Sequence, residues 1–249
     1  MQRTDGRSPN ELRPVKLTRR YLRHAAGSCL IELGDTRVLC AATISDTIAQ
    51  WRRGSGLGWV TAEYAMLPAS THTRKRREVS LGAPSGRTHE IQRLIGRSLR
   101  TVIDMGGLGG EVTLTVDCDV IQADGGTRTA AITGAFIAAY DALSTWRDAG
   151  RISELPVLDY VAATSVGMVD GVVMLDLQYE EDSNAEIDMN VVVDGRGRFI
   201  EVQGTGERAP FDRARLDVML DLAADGASRL IKLQKRVITE DLEVVDERW

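Results

Sequence analysis

Cysteine is scarce in this chain. Cys29, Cys40 and Cys118 are the three among 249 residues. They are odd in number, lie in strand-like runs and lack the paired spacing of a zinc site. That excludes a disulfide framework and a zinc-ribbon core, and predicts reduced, buried thiols. Histidine is as sparse. His24, His72 and His89 are scattered among polar neighbours, form no ligand set and are expected at the surface. No apolar run is long enough to span a bilayer, so no membrane partner is expected. The opening Met1-Gln2-Arg3-Thr4-Asp5 is no signal peptide, and a cytoplasmic location is the expectation. An excess of positive charge is also missing. The formal net charge of −5 argues against a general nucleic-acid coat protein. It leaves room for a local basic site, because binding follows local charge.

The length suits one large domain or two small intertwined ones. The pattern divides into an N-terminal half over 1–150, a C-terminal half over 151–239 and an acidic tail over 240–249, expected to be loose. An arginine-rich head (Arg3, Arg7, Arg13, Arg19, Arg20, Arg23) precedes a hairpin predicted over Ser28–Leu33 and Thr36–Ile44, turning at Gly34-Asp35. Trp59–Leu67 reads as extended. Ile91, Leu94, Ile95, Leu99, Val102 and Ile103 recur at helical spacing and predict an amphipathic helix. A strand over Val112–Ile121 and a small-residue helix over Thr129–Ala149 complete a β-β-α-β-α half. The second half predicts strands over Val161–Val169, Val172–Tyr179, Ile187–Val193 and Arg198–Gln203. Two helices, Asp212–Ala224 and Ala227–Ile238, follow and are split by Asp225-Gly226. The class is α+β with mixed or antiparallel sheets and packed helices.

Four features carry chemistry. In the first, Gln122-Ala123-Asp124-Gly125-Gly126-Thr127-Arg128 sits where a strand hands over to a helix N-terminus. Free N–H groups and the helix dipole favour an anion there, and Thr127 and Arg128 add a hydroxyl and a planar guanidinium. A plain glycine turn followed by a solvated arginine fits the same residues. The second is Arg87, near the start of the amphipathic helix, an odd place for a cation unless an anion joins it. The third is the acidic run Glu180 to Asp188. If its loop closes a hairpin, Asp182 and Asp188 become cross-strand neighbours that share a cation or a proton. A solvated acidic hairpin tip reads equally well. The fourth is the run Arg74-Lys75-Arg76-Arg77, either a solvated face or an RNA-backbone contact remote from the anion site.

Longer motifs resemble bacterial ribonuclease PH. They are Gly58–Tyr64, Ser70–Arg74, Gly86–Arg97, Gln122–Thr133 and the stretch from Glu181-Asp182-Ser183 through Asp188-Met189-Asn190. The resemblance runs from Arg3 to about Lys235. It implies a phosphorolytic 3′→5′ exoribonuclease that trims the 3′ ends of tRNA precursors and of rRNA. It also implies a fold like domain 2 of ribosomal protein S5, a ring-forming homohexamer built as a trimer of dimers, inorganic phosphate as co-substrate and Mg2+ as cofactor. Carried over by position, Arg87, Gly126, Thr127 and Arg128 match the family's phosphate site. Asp182 and Asp188 match its catalytic, metal-associated pair, and Arg74, Arg76 and Arg77 its RNA-binding loop.

Rival functions leave different traces. A non-catalytic RNA-binding ring subunit should lack part of this arginine and aspartate set. A small-molecule kinase would need a phosphate-cradling glycine loop, and the one candidate, Gly106–Gly110, follows a helix and precedes a strand, the wrong order. A hydrolytic nuclease would show more clustered acids and no phosphate-binding arginines.

Overall fold

The computed structural model of the chain describes residues 3–249. Three strands come first: β1 (Val15–Arg19), β2 (Gly27–Leu33) and β3 (Thr36–Ser45), paired antiparallel in sequence. The β2–β3 turn is at Gly34-Asp35 as expected, with Gly34 at φ 55°. β4 (Trp59–Met66) lies parallel to β5 (Thr113–Gln122), and α1 (Gly86–Val102) is the crossover such a pair requires. β5 returns antiparallel against β3. Alternate residues face the core: Val38, Cys40 and Ala42 on β3, Leu114, Val116, Cys118 and Val120 on β5. The three cysteines are free and buried.

α2 (Thr127–Asp148) packs against β2 and β3 on one side and β6 (Val161–Val169) on another. It is buried almost without interruption from Thr129 to Leu143, and its small residues permit that depth. A Cβ on Gly134 would stand 2.7 Å from Ile31 Cγ2. The second sheet runs β7 (Val172–Leu175), β6, β8 (Ile187–Asp194), β9 (Phe199–Gly206), all antiparallel. The fold is thus α+β with one mixed and one antiparallel sheet. The largest apolar cluster takes residues from both sheets and from α1, α2 and α4 (Arg213–Thr239), so the halves share a core. No helix among the described residues is long and apolar enough to cross a membrane.

Several expectations need correction. β1 lies inside the arginine-rich head, where Arg19 takes a buried position that charge alone would assign to solvent. The two closing helices are one, α4, and it runs straight through Asp225-Gly226. Gly226 is there for space: a Cβ would meet Leu175 Cδ1 at 2.7 Å. The acidic tail is not loose. Val244–Glu247 forms β10, which pairs with β1 and completes the order β10-β1-β2-β3-β5-β4. Arg236 anchors it, donating to Glu247 at 2.8 Å. Finally, β7 ends at Leu175 rather than Tyr179, and in place of a hairpin loop residues 179–184 form a helical turn, α3 (Tyr179–Asn184).

Candidate active site

The N-termini of α1 and α2, the turn α3 and strand β8 face one cavity of about 360 Å3. Arg87, Gly126, Thr127, Arg128, Asp182 and Asp188 all line it. Residues spread over a hundred positions of sequence therefore share one space.

The anion side is built by backbone. Gly125 and Gly126 adopt φ 74° and 65°, a left-handed pair that turns the end of β5 into α2. Gly125 must also lie flat, since a Cβ would stand 2.5 Å from Leu177 O. No side chain caps the first turn of α2, so its N–H groups are free for a ligand. Thr127 Oγ1 is 2.9 Å from Tyr64 Oη. Arg128 is pre-aimed: its Nη1 donates to Gln203 Oε1 at 2.6 Å and lies 3.5 Å from Glu90. Gln203 in turn donates to Glu90 at 2.6 Å. Arg87 differs. It is exposed, and its side chain has no protein partner among the described residues. Ser85 caps α1 instead, accepting from Thr88 N at 3.2 Å.

The acidic side departs from the hairpin expectation. Asp182 sits on α3, and Asp188 sits on β8 opposite Gly167 and Thr205. The two are not cross-strand neighbours. A capping box between Gln178 and Glu181 stabilises the helical turn, and Arg3 grips Glu181 through two bonds of 2.8 and 2.6 Å. The carboxylates nonetheless meet across the cavity. Burial and then the charge of Asp182 push Asp188 up to about 6, with Arg128 opposing the rise. Burial also raises Asp182, against the pull of Arg87 and Arg128.

That imbalance is the test for a divalent cation. Burial raises both carboxylates and the charge of Asp182 raises Asp188 further, a concentration of negative charge that a cation would relieve, so the pair fits one. No group of three or more His, Cys, Asp or Glu residues able to hold a metal is found among the described residues. A cation here would keep other oxygen ligands from water or substrate, as Mg2+ commonly does.

The basic loop is closer than its sequence position suggested. Arg74, Arg76 and Arg77 are exposed, but Lys75 lines the cavity, its backbone N–H held by Pro68 O at 2.8 Å. Tyr179 and Asn190 also line it, as does Ser165. None of these was singled out by charge patterning, although Tyr179 stands beside the acidic run. Gln203 gave no signal at all, because a glutamine on a strand edge looks like any solvated residue. Gly106–Gly110 is a short turn whose job is packing. Leu108 is buried, and a Cβ on Gly107 would stand 2.8 Å from Pro156 Cβ.

Comparison with known proteins identifies the family and the fold that carry this cavity. Residues 11–143 match the model for domain 1 of the ribonuclease PH-type 3′ exoribonuclease family, and residues 159–226 match domain 2. A structure of the archaeal exosome core superposes with a TM-score of 0.75 at 23% identity, covering 94% of this chain and 91% of the other. The exosome of Archaeoglobus fulgidus, described as having RNA bound to the active site, gives 0.77 at 23% identity, over 93% and 92%. Rrp46 from rice (Oryza sativa) gives 0.76 at 21% identity, over 95% and 100%. At these identities the structural likeness speaks to the fold, while the family models span both halves: the chain belongs to the 3′ exoribonuclease family.

Proposed function

We propose that the protein is a phosphorolytic 3′→5′ exoribonuclease of the bacterial ribonuclease PH type. It uses inorganic phosphate to remove nucleotides from the 3′ ends of tRNA precursors, and of rRNA, and releases nucleoside diphosphates. One observation carries this reading. A helix N-terminus with two flanking arginines and a proton-holding carboxylate pair face the same cavity. Hydrolysis needs no built site for a second phosphate, whereas phosphorolysis does. The complete set also weighs against a non-catalytic subunit.

In the proposed reaction, Arg87, Arg128, Thr127 and the free N–H groups of α2 hold phosphate. One of its oxygens attacks the last internucleotide phosphorus in line. The bond from phosphorus to the ribose 3′-oxygen of the shortened RNA breaks, and the new bond makes a nucleoside diphosphate. The arginines position the nucleophile and offset charge in the crowded transition state. Asp188, pushed up to about 6, holds a proton and donates it to the leaving 3′-oxygen. Burial and the charge of Asp182 together make Asp188 the stronger proton holder of the two. With both carboxylates ionised, the pair would hold Mg2+ in place of the proton, and the ion would supply charge stabilisation at the scissile phosphate. The bond made resembles the bond broken, so excess nucleoside diphosphate should drive nucleotide addition.

The deciding experiment is RNA digestion with and without added phosphate, resolving the products by thin-layer chromatography. Phosphate-dependent release of diphosphates is expected. Monophosphates released without phosphate would overturn the reading. Asp182→Asn and Asp188→Asn should each abolish turnover in a folded protein. Light scattering should give a homohexamer, a trimer of dimers; a fully active monomer on tRNA would contradict the ring.

A further inference from the structure

Residues 3–14, before β1, carry no regular structure, yet three of their arginines are buried. Arg3, Arg7 and Arg13 expose 0%, 8% and 3% of their side chains. Their partners are buried as well: Glu181 at 8% and Asp176 at 0%. Buried ion pairs are a poor source of net stability, because apolar residues of similar volume do as well or better. What they add is direction, so the bonds they make matter.

Arg13 has five donors in a rigid fork and uses them on two elements of the active site. Its Nε and Nη2 donate to Asp176 at 3.0 and 2.7 Å, and its backbone N–H donates to the same carboxylate at 2.8 Å. Its Nη1 donates to Asp124 O, and its Nη2 to Gly125 O at 3.4 Å. Asp124 and Gly125 are the turn that presents the N-terminus of α2. Asp176 stands at φ 52°, just ahead of α3. Burial alone would raise its pKa, yet the Arg13 charge beside it holds the carboxyl below the usual range. Arg3 acts on the other side of the same junction. It donates to Leu175 O and Asp176 O, each at 2.8 Å, and grips Glu181, the neighbour of Asp182. The two sides also touch directly, since Tyr179 N donates to Asp124 Oδ1 at 3.2 Å.

We infer that this arm sets the spacing between the phosphate turn and the acidic pair: Arg13 with Asp176 positions the phosphate turn, and Arg3 with Glu181 positions the helical turn bearing Asp182. The inference rests on the phosphorolysis reading and deepens it. Neither arginine touches the cavity, so both are positioning residues. They should fail differently. Loosening Arg13 misplaces the bound phosphate, whereas loosening Arg3 misplaces Asp182 relative to Asp188.

The test is phosphorolysis of a short oligonucleotide by the full chain, with phosphate varied. Arg13→Lys keeps the charge but not the fork and should raise the KM for phosphate about tenfold, since small misplacements remote from the chemistry cost that much or more. Arg3→Gln should lower kcat about tenfold and leave that KM near wild type. The double variant Arg13→Met/Asp176→Asn guards against simple unfolding, because asparagine also tolerates the left-handed backbone at 176 and keeps an acceptor for the N–H of residue 13. It should melt near the wild-type temperature yet keep the raised phosphate KM. A double variant with wild-type KM would overturn the inference and reduce the pair to a structural one. Equal kcat losses in the Arg13 and Arg3 variants with unchanged KM would do the same. A wild-type enzyme indifferent to phosphate would overturn both the reading and what is built on it.

Discussion

Two arginine-rich stretches read alike in the sequence and meet opposite fates. In the first, Arg3, Arg13 and Arg19 are buried against Glu181, Asp176 and Asp141, each on a distant element. In the second, Arg74, Arg76 and Arg77 lie exposed, with no side-chain partner among the described residues. The difference is the availability of a carboxylate once the chain has folded, and local charge density does not reveal it. An arginine already answered by a buried acid builds the molecule. An unanswered one is free to meet an anion from outside. Arg128 stands between the two: it is held by Gln203 and grazed by Glu90, but still lines the cavity.

The strongest way to break this comparison is to remove a committed arginine far from the site. Arg19→Ala leaves Asp141 buried without its cation and should cost about 3–5 kcal/mol in denaturant unfolding. The fraction that stays folded should keep its KM for phosphate. A loss under 1 kcal/mol by the same measurement would mean that the burial of Arg19 is incidental.

Next in size is the intermediate case. Arg128→Ala should weaken phosphate use by about 1.5–3 kcal/mol, the worth of a charge-assisted contact, with little change in melting. It is read as kcat/KM at limiting phosphate, and wild-type rates there would remove Arg128 from the anion site.

Carboxylates sharpen the same contrast. Asp176 has its arginine and is held low, while Asp188 has no such direct partner and is raised to about 6. Folded protein therefore binds the Asp188 proton more tightly than unfolded chain does. The stability tied to that proton is present below 3.8 and is lost as pH rises to about 6. Asp188→Asn should thus unfold like wild type near pH 3.8 and be more stable by about 1–3 kcal/mol at pH 8, in metal-free buffer. Equal stabilities at pH 8 would show Asp188 to be compensated already.

The smallest effect on stability belongs to the unanswered arginines. Arg74→Ala/Arg76→Ala/Arg77→Ala should shift stability by no more than about 0.5 kcal/mol per position. It should still weaken tRNA binding and flatten its salt dependence, by about 0.9 in slope for each duplex phosphate that is no longer neutralised. Cleavage of a short oligonucleotide should change much less. Equal losses on both substrates would draw the arginines, like Lys75, into the cavity.

Periodicity made most of the fold legible. The alternation through Thr36–Ser45 and Thr113–Gln122 and the helical spacing of Ile91 to Val102 each report a face buried on one side. Reading failed where tertiary partners overrode local rules. Gly226 looked like a helix break because nothing in its neighbourhood announces that Leu175 needs the space. Tyr179 looked like a strand end and Asp182 like the start of a hairpin turn because the clamp on Glu181 comes from Arg3, at the other end of the sequence. The site was visible as separate fragments. Arg87, the Gly126-Thr127-Arg128 turn and the two aspartates each stood out by type, but the supports of the turn and of Arg128, Arg13 and Gln203, carried no local mark.

The pairing of β1 with β10 also has a consequence in time. Val15 cannot find Glu247 until nearly all the sequence between them has left the ribosome. Until then β2 covers one side of β1 and the other side is an open row of backbone donors and acceptors, a template for the wrong strand. The nascent sheet is therefore exposed to mispairing until β10 emerges, and that short acidic strand closes the flank beside β1.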